Sequence, residues 1–157
     1  MSEVLVAYFS ASGITAGVAK RLADVTDADL YEIRPAVPYT TKDLDWKDEH
    51  SRSNLEMEDR SSRPEIQDRA LDIASYDTIY LGFPIWWGVA PTIVLTFLEQ
   101  YDWTGKTMIP FATSGSSGMG NTNTELAGSC PGALLKEGKR FEADAGKEEL
   151  KEWIKSL

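Results

Sequence analysis

The stretch that decides the fold is Val4-Leu5-Val6-Ala7-Tyr8-Phe9, followed by Ser10-Ala11-Ser12-Gly13 and then by Ile14, Val18, Leu22 and Val25. A short continuous apolar run reads as a strand buried on both faces. The polar turn breaks it. Apolar residues spaced three or four apart then give one helical stripe. A strand that feeds a helix through a short polar turn is the first half of a crossover unit.

The same grammar repeats downstream. Leu30-Tyr31-Glu32-Ile33 reads as a second strand, stopped by Pro35. Residues 76–83 read as a third strand that ends at Pro84. Pro91 suits the first turn of a helix, whose buried face is Ile93, Val94, Phe97 and Leu98. Residues 106–112 read as a fourth strand, although Pro110 cannot donate to a ladder. A short last strand is expected within 133–141, and a final helix is marked by Leu150, Trp153, Ile154 and Leu157. Between them, residues 36–69 hold nine acidic and six basic residues and few aliphatics, a surface excursion with a helix somewhere in 43–60. Strands alternating with helices imply a mostly parallel α/β sheet, and the whole chain, 1–157, is expected to form one domain.

Composition excludes several classes. Sixteen basic and 25 acidic residues give a net charge of −9, which disfavours nucleic acid and anionic membranes as partners. No apolar run reaches the roughly 18 residues of a membrane span. The first residues lack the pattern of a signal peptide. The lone Cys130 forms no internal disulfide, so a reducing cytoplasm is the expected compartment. One histidine and one cysteine leave no zinc site of the Cys/His type and no metal ligand set is expected. His50 reads as a solvated surface residue, and Cys130 as a packed thiol.

In parallel sheets, ligands bind outside the carboxyl ends of the strands. Three unusual segments fall there: 10–15, 84–88 and 113–120. Ser10-Ala11-Ser12-Gly13-Ile14-Thr15 puts three hydroxyls and a glycine at a helix N-terminus, a nest for a phosphate; the plainer reading is an ordinary Ser cap. It holds no Lys or Arg, which suits a bound mononucleotide better than phosphoryl transfer. Pro84-Ile85-Trp86-Trp87-Gly88 offers indoles on which a flat ligand can stack, or which pack under the 36–69 excursion. Thr113 to Asn121 is rich in glycine and hydroxyls and lets a backbone approach a ligand. Competing motifs fail by residue. The dinucleotide pattern is absent after the first strand. Gly105-Lys106-Thr107 has Gln100 where a Walker A glycine must stand, and a phospho-receiver needs acids where Ser10 and Pro84 are found.

On these residues the sequence resembles the flavodoxins. Ser10 to Thr15 matches their phosphate-loop pattern, (Thr/Ser)-x-(Thr/Ser)-Gly-x-Thr, and Pro84–Gly88 and Ala112–Gly118 look like the two flavin-flanking loops of a bacterial subfamily. The resemblance covers nearly the whole chain. It implies a doubly wound five-stranded parallel sheet, order 2-1-3-4-5, with helices on both faces and one non-covalent flavin mononucleotide (FMN). Ser10, Ser12, Gly13, Ile14 and Thr15 would hold the phosphate. Pro84, Ile85, Trp86, Trp87 and Gly88 would line one side of the isoalloxazine. Thr113, Ser114, Gly115 and Gly118 would bond its pyrimidine edge. No catalytic side chain is implied, because the flavin does the chemistry.

The implied function is a low-potential electron carrier, monomeric, that meets a reductase and an acceptor protein. Negative charge around a flavin opposes its reduction. The alternative is a small FMN-dependent quinone or flavin reductase using NAD(P)H. Two features depart from carrier flavodoxins: residues 86–98 hold no acidic cluster, and the 36–69 excursion is long. Asp24, Asp27, Asp29 and Glu32 form an acidic patch that reads as a solvated face or as a dock for a basic partner.

Overall fold

The computed structural model describes residues 3–11, 13–45, 47–67, 71–86, 88–114, 118–120 and 122–157. Strands β1 (Glu3–Tyr8), β2 (Asp29–Glu32), β3 (Tyr76–Pro84), β4 (Thr107–Thr113) and β5 (Leu134–Leu135) lie in the order β2-β1-β3-β4-β5, every pairing parallel. This is the doubly wound flavodoxin-like order. Helices α1 (Ile14–Thr26) and α5 (Lys147–Ser156) cover one face. α3 (Thr92–Glu99) packs on the other, on the side that also takes Leu126 of α4 (Thr122–Ala127) and Ile66 of the excursion. Among the described residues, no helix is long and apolar enough to cross a membrane.

Strand alternation divides the core in two. Leu5, Ala7 and Phe9 face α3, while Val6 and Tyr8 face α1 and α5. Period-two geometry requires this, and it explains why β1 is apolar throughout rather than alternating. On α1, Val18, Ala19 and Leu22 are fully buried against the sheet and α5. Burying each such Val or Leu contributes about 1.5–3 kcal/mol. The stripe departs from expectation at its start: Ile14, the first residue of α1, is 46% exposed.

The far edge differs from the single strand expected in 133–141. It is split into β5 and β6 (Lys139–Phe141), and both halves pair with β4. Met108 accepts from the Lys136 amide, so even-numbered residues of β4 aim their backbone groups at this edge. Pro110 is one of them. Its missing N–H falls in the gap between the two halves, where no donor is needed. The helix α4 was hidden in a polar run, since Thr122-Asn123-Thr124 reads as loop and only Glu125 and Leu126 hint at a turn.

The excursion is closed at its base. Ala36 N–H donates to Glu65 O, and Gln67 N–H to Arg34 O, each at 2.8 Å, around an antiparallel bridge between Pro35 and Ile66. Its helix α2 (Arg52–Glu58) lies within the expected 43–60 window. Three links pin its return leg to the body: Arg60 to Glu125, Arg63 to Glu99 at 2.9 Å, and Ser62 Oγ to Thr92 Oγ1 at 2.9 Å.

Candidate functional site

The three segments singled out in the sequence meet at the carboxyl ends of β1, β3 and β4. In the first, Gly13 caps α1 with φ of 93°, a left-handed conformation that favours glycine. Its N–H turns back to Ser10 Oγ at 3.0 Å, closing the loop on itself. Among the described residues, no side chain other than Ser10 bonds an amide at the start of α1. Its first amides, with the positive end of the helix dipole, are therefore open to an anion. Thr15, on the first turn, is 2% exposed, and its hydroxyl lies 2.7 Å from that of Thr113, itself buried at the end of β4. Ser12 lies outside the described residues.

The second segment runs from Pro84, which pairs with Thr113 in register. Ile85 N–H donates to Thr113 O at 3.2 Å. Trp86 and Val89 exchange backbone bonds of 2.9 and 3.1 Å around a turn that carries Gly88 at φ 80°. The Trp86 indole is half-buried. It meets Phe9 and Tyr39 edge-on, with centroids 5.8 and 5.6 Å apart. Trp86 thus packs under the excursion, the second of the two roles weighed for the indole pair. Trp87 lies outside the described residues.

Tyr39 was not singled out by the sequence. Its hydroxyl donates to Glu56 at 2.5 Å, and Arg52 sits 3.9 Å over its ring while donating to Glu56 at 3.0 Å. Burial first, then the Glu56 hydrogen bond and charge, raise the Tyr39 ionisation far above the ordinary phenol range.

In the third segment, Ser114 is held by Arg140, whose Nε donates to the Ser114 hydroxyl at 3.0 Å and Nη2 to its carbonyl at 3.2 Å. Gly118 is exposed, and Gly115 lies outside the described residues. A cavity of about 410 Å³ opens among these elements, lined by Ile14, Pro84, Thr113, Ser114, Glu142, Ala143 and Asp144. Four of the seven were expected. The other three follow β6 and are fastened to α1 by Arg21, which donates to Ala143 O and Ala145 O at 2.9 and 2.8 Å. The rule that loops at strand carboxyl ends form the site, extended to the last strand, would have found them.

Two further clefts border the first loop. One of about 250 Å³ is lined by residues including Ser10, Ala11, Arg34 and Tyr39, and one of about 880 Å³ by Ala11, Tyr39, Lys42 and others. Among the described residues, no group of three or more His, Cys, Asp or Glu is placed to hold a metal. Cys130 is buried, its Sγ 3.2 Å from Leu126 O, and burial pushes its thiol pKa up.

This arrangement offers neutral donors for a phosphate, a cavity for a polar chain or ring, and an aromatic wall. Among the described residues, it aligns no nucleophile with a base. A family model described as flavodoxin matches residues 3–157. No curated protein matches the chain. Two Bacteroides proteins, each provisionally assigned as a flavoprotein, have solved structures similar to this one. That of B. uniformis is 51% identical with a TM-score of 0.93, covering 98% of both chains. That of B. eggerthii is 43% identical with the same TM-score, covering 100% of this chain and 98% of its own. A flavoprotein of Lactobacillus acidophilus, solved in complex with FMN, shares the fold at 23% identity and a TM-score of 0.72, covering 98% and 99%.

Proposed function

Since the chain belongs to the flavodoxin family, we propose that it binds one FMN without a covalent link and passes electrons between protein partners at low potential. The observation that carries this reading is the start of α1, turned through Gly13 in the left-handed conformation, beside the Thr15–Thr113 hydroxyl pair on the rim of the 410 Å³ cavity. Neutral amides and hydroxyls suit a phosphate monoester, and a cavity of that volume suits the rest of a mononucleotide. The FMN complex of the Lactobacillus relative supports the same ligand.

Within this reading, Ser10, Ser12, Gly13, Ile14 and Thr15 receive the phosphate. Pro84 to Gly88 wall one side of the ring, and Thr113, Ser114, Gly115 and Gly118 meet its polar edge. Bound FMN supplies the redox chemistry, and the chain binds it, orients it and sets its field. Its partners are a reductase and an acceptor protein, met by a monomer in the cytoplasm.

One observation favours a second reading, an NAD(P)H-dependent quinone or flavin reductase. The two clefts that share Ala11 and Tyr39 carry the cations Arg34 and Lys42 beside the phosphate loop, where a dinucleotide phosphate could rest. The absorption spectrum of the purified protein tests the first claim: a flavin spectrum, restored to the stripped protein by FMN, supports it, and a protein that stays colourless overturns it. Mixing the FMN-loaded protein with NADPH and a benzoquinone separates the two readings. Rapid turnover selects the reductase, and none selects the carrier.

A further inference from the structure

The turn at 86–89 is gripped from two sides. On one side, Trp86 is wedged edge-on between Phe9 and Tyr39. Tyr39 is in turn fixed by Glu56 and Arg52. On the other side, the Gly88 carbonyl oxygen lies against the backbone of Gly120. A Cβ built on Gly120 would stand 2.3 Å from that oxygen and 3.4 Å from the Gly88 carbonyl carbon. No real Cβ tolerates the first distance. Gly120 also has φ of 53°, so it lacks a side chain for two independent reasons.

The segment that brings Gly120 there is itself anchored. The Met119 carbonyl accepts from the Thr122 amide at 3.0 Å and from the Thr122 hydroxyl. The Met119 side chain packs beside Gly138, in the break of the edge strand. Asn123 Nδ2 donates to Lys136 O at 2.9 Å, tying α4 to the same break. The Gly88–Gly120 contact therefore joins two fixed pieces, one from each of the loops that would flank the flavin. Beyond the Ile85–Thr113 hydrogen bond at their base, the spacing between those loops is set at this contact.

We propose that Gly120 is a positioning residue for the flavin ring. By admitting the Gly88 carbonyl against its backbone, it sets the 86–89 turn and hence the slot that the isoalloxazine enters. The inference rests on the FMN reading for its purpose but not for its geometry. It separates two recognition tasks. The start of α1 reads the phosphate, and the Gly88–Gly120 contact shapes the ring slot alone.

The test compares Gly120→Ala with Gly105→Ala. Gly105 has the same kind of backbone, φ 81°, with nothing within 4 Å of its would-be Cβ, so it carries the conformational cost without the collision. Gly120→Asn is the second variant, since Asn tolerates a left-handed backbone but still brings a Cβ. In the stripped protein, amide hydrogen exchange of Val89 is measured, because its N–H is held by Trp86 O across the turn. Exchange is expected to quicken in both Gly120 variants and to stay unchanged in Gly105→Ala.

FMN and riboflavin are then titrated. Displacing a close-packed contact should weaken both flavins by the same factor, about ten-fold or more, and should shift the visible flavin bands. Unchanged Val89 exchange in both Gly120 variants overturns the proposal whether or not FMN binds. So does a loss confined to FMN, or an equal loss in Gly105→Ala. A wild-type protein that takes up neither flavin overturns the FMN reading instead, and the exchange result then decides the geometry alone.

Discussion

The hydroxyls of Thr15 and Thr113 lie 2.7 Å apart although 98 residues separate them, and both side chains are buried. A hydroxyl has one proton to give and two lone pairs. If Thr113 donates to Thr15, the Thr15 proton is free to point at an anion at the start of α1. The pair thus couples the loop at residues 10–15, proposed to hold the phosphate, to the loop after β4. Thr15→Val keeps the shape and removes the donor, so FMN affinity should fall roughly 10- to 100-fold. Thr113→Val removes only the orienting partner and should cost less. Riboflavin, which has no phosphate, should bind both variants nearly as well as the wild type. Calorimetric titration of each flavin checks this, and equal losses for both flavins would sink the phosphate role.

Tyr39 bonds Glu56 and walls Trp86. In Tyr39→Phe, Glu56 keeps Arg52, so the expected loss is near the low end for a buried partner, about 1 kcal/mol. The pH dependence has a definite sign. The folded pKa of Tyr39 is raised, so its contribution is fully present below the unfolded phenol value of about 10 and is lost as pH rises beyond it. Tyr76, pushed up to about 12 first by its bond to Asp29, acts in the same direction. Urea midpoints measured from pH 8 to 11 should fall, and less steeply in Tyr39→Phe. An identical slope in the variant would contradict the assignment.

Glu99 gives the opposite limb. The Arg63 hydrogen bonds, followed by that from Ser129, hold its carboxyl below the usual range against a burial effect that raises it. A lowered folded pKa stabilises above the unfolded value of about 4.3 and loses that stability as pH falls below it. The pair is more than a third exposed, so solvent screens it and the effect should be small. Glu99→Gln should lower stability slightly at pH 7–8, where the ionised pair contributes, and flatten the acid limb between about pH 5 and 3. Thermal melting across that range is the measurement.

Cys130 is buried and its thiol is pushed up by burial. Thiolate is the reactive form. Native protein at pH 8 should therefore be inert to a disulfide reagent, and urea should release one equivalent of thiol. Fast labelling of the folded chain would show that this face opens.

Much of this protein was legible in its residues. β1, α1, β3 and α3 were readable because burial on two faces, or on one helical stripe, leaves a periodic mark in the chain itself. The turn from β1 into α1 was readable for a similar reason: hydroxyls, glycine and a helix start lie within six residues. The split of the edge strand was not, because it depends on Pro110 facing across to residues 136–138, a pairing that no local pattern encodes. Nor was the role of Tyr39, which looks like any tyrosine in a charged loop until the excursion folds back over Trp86. Glu142, Ala143 and Asp144 joined the cavity only once Arg21 drew their loop onto α1. Local propensity is written along the chain, whereas contacts between distant segments are selected by the packing of the whole. Here tertiary structure decided which hydroxyl faces Thr15, which ring meets Trp86, and why position 120 has room for a backbone and nothing more.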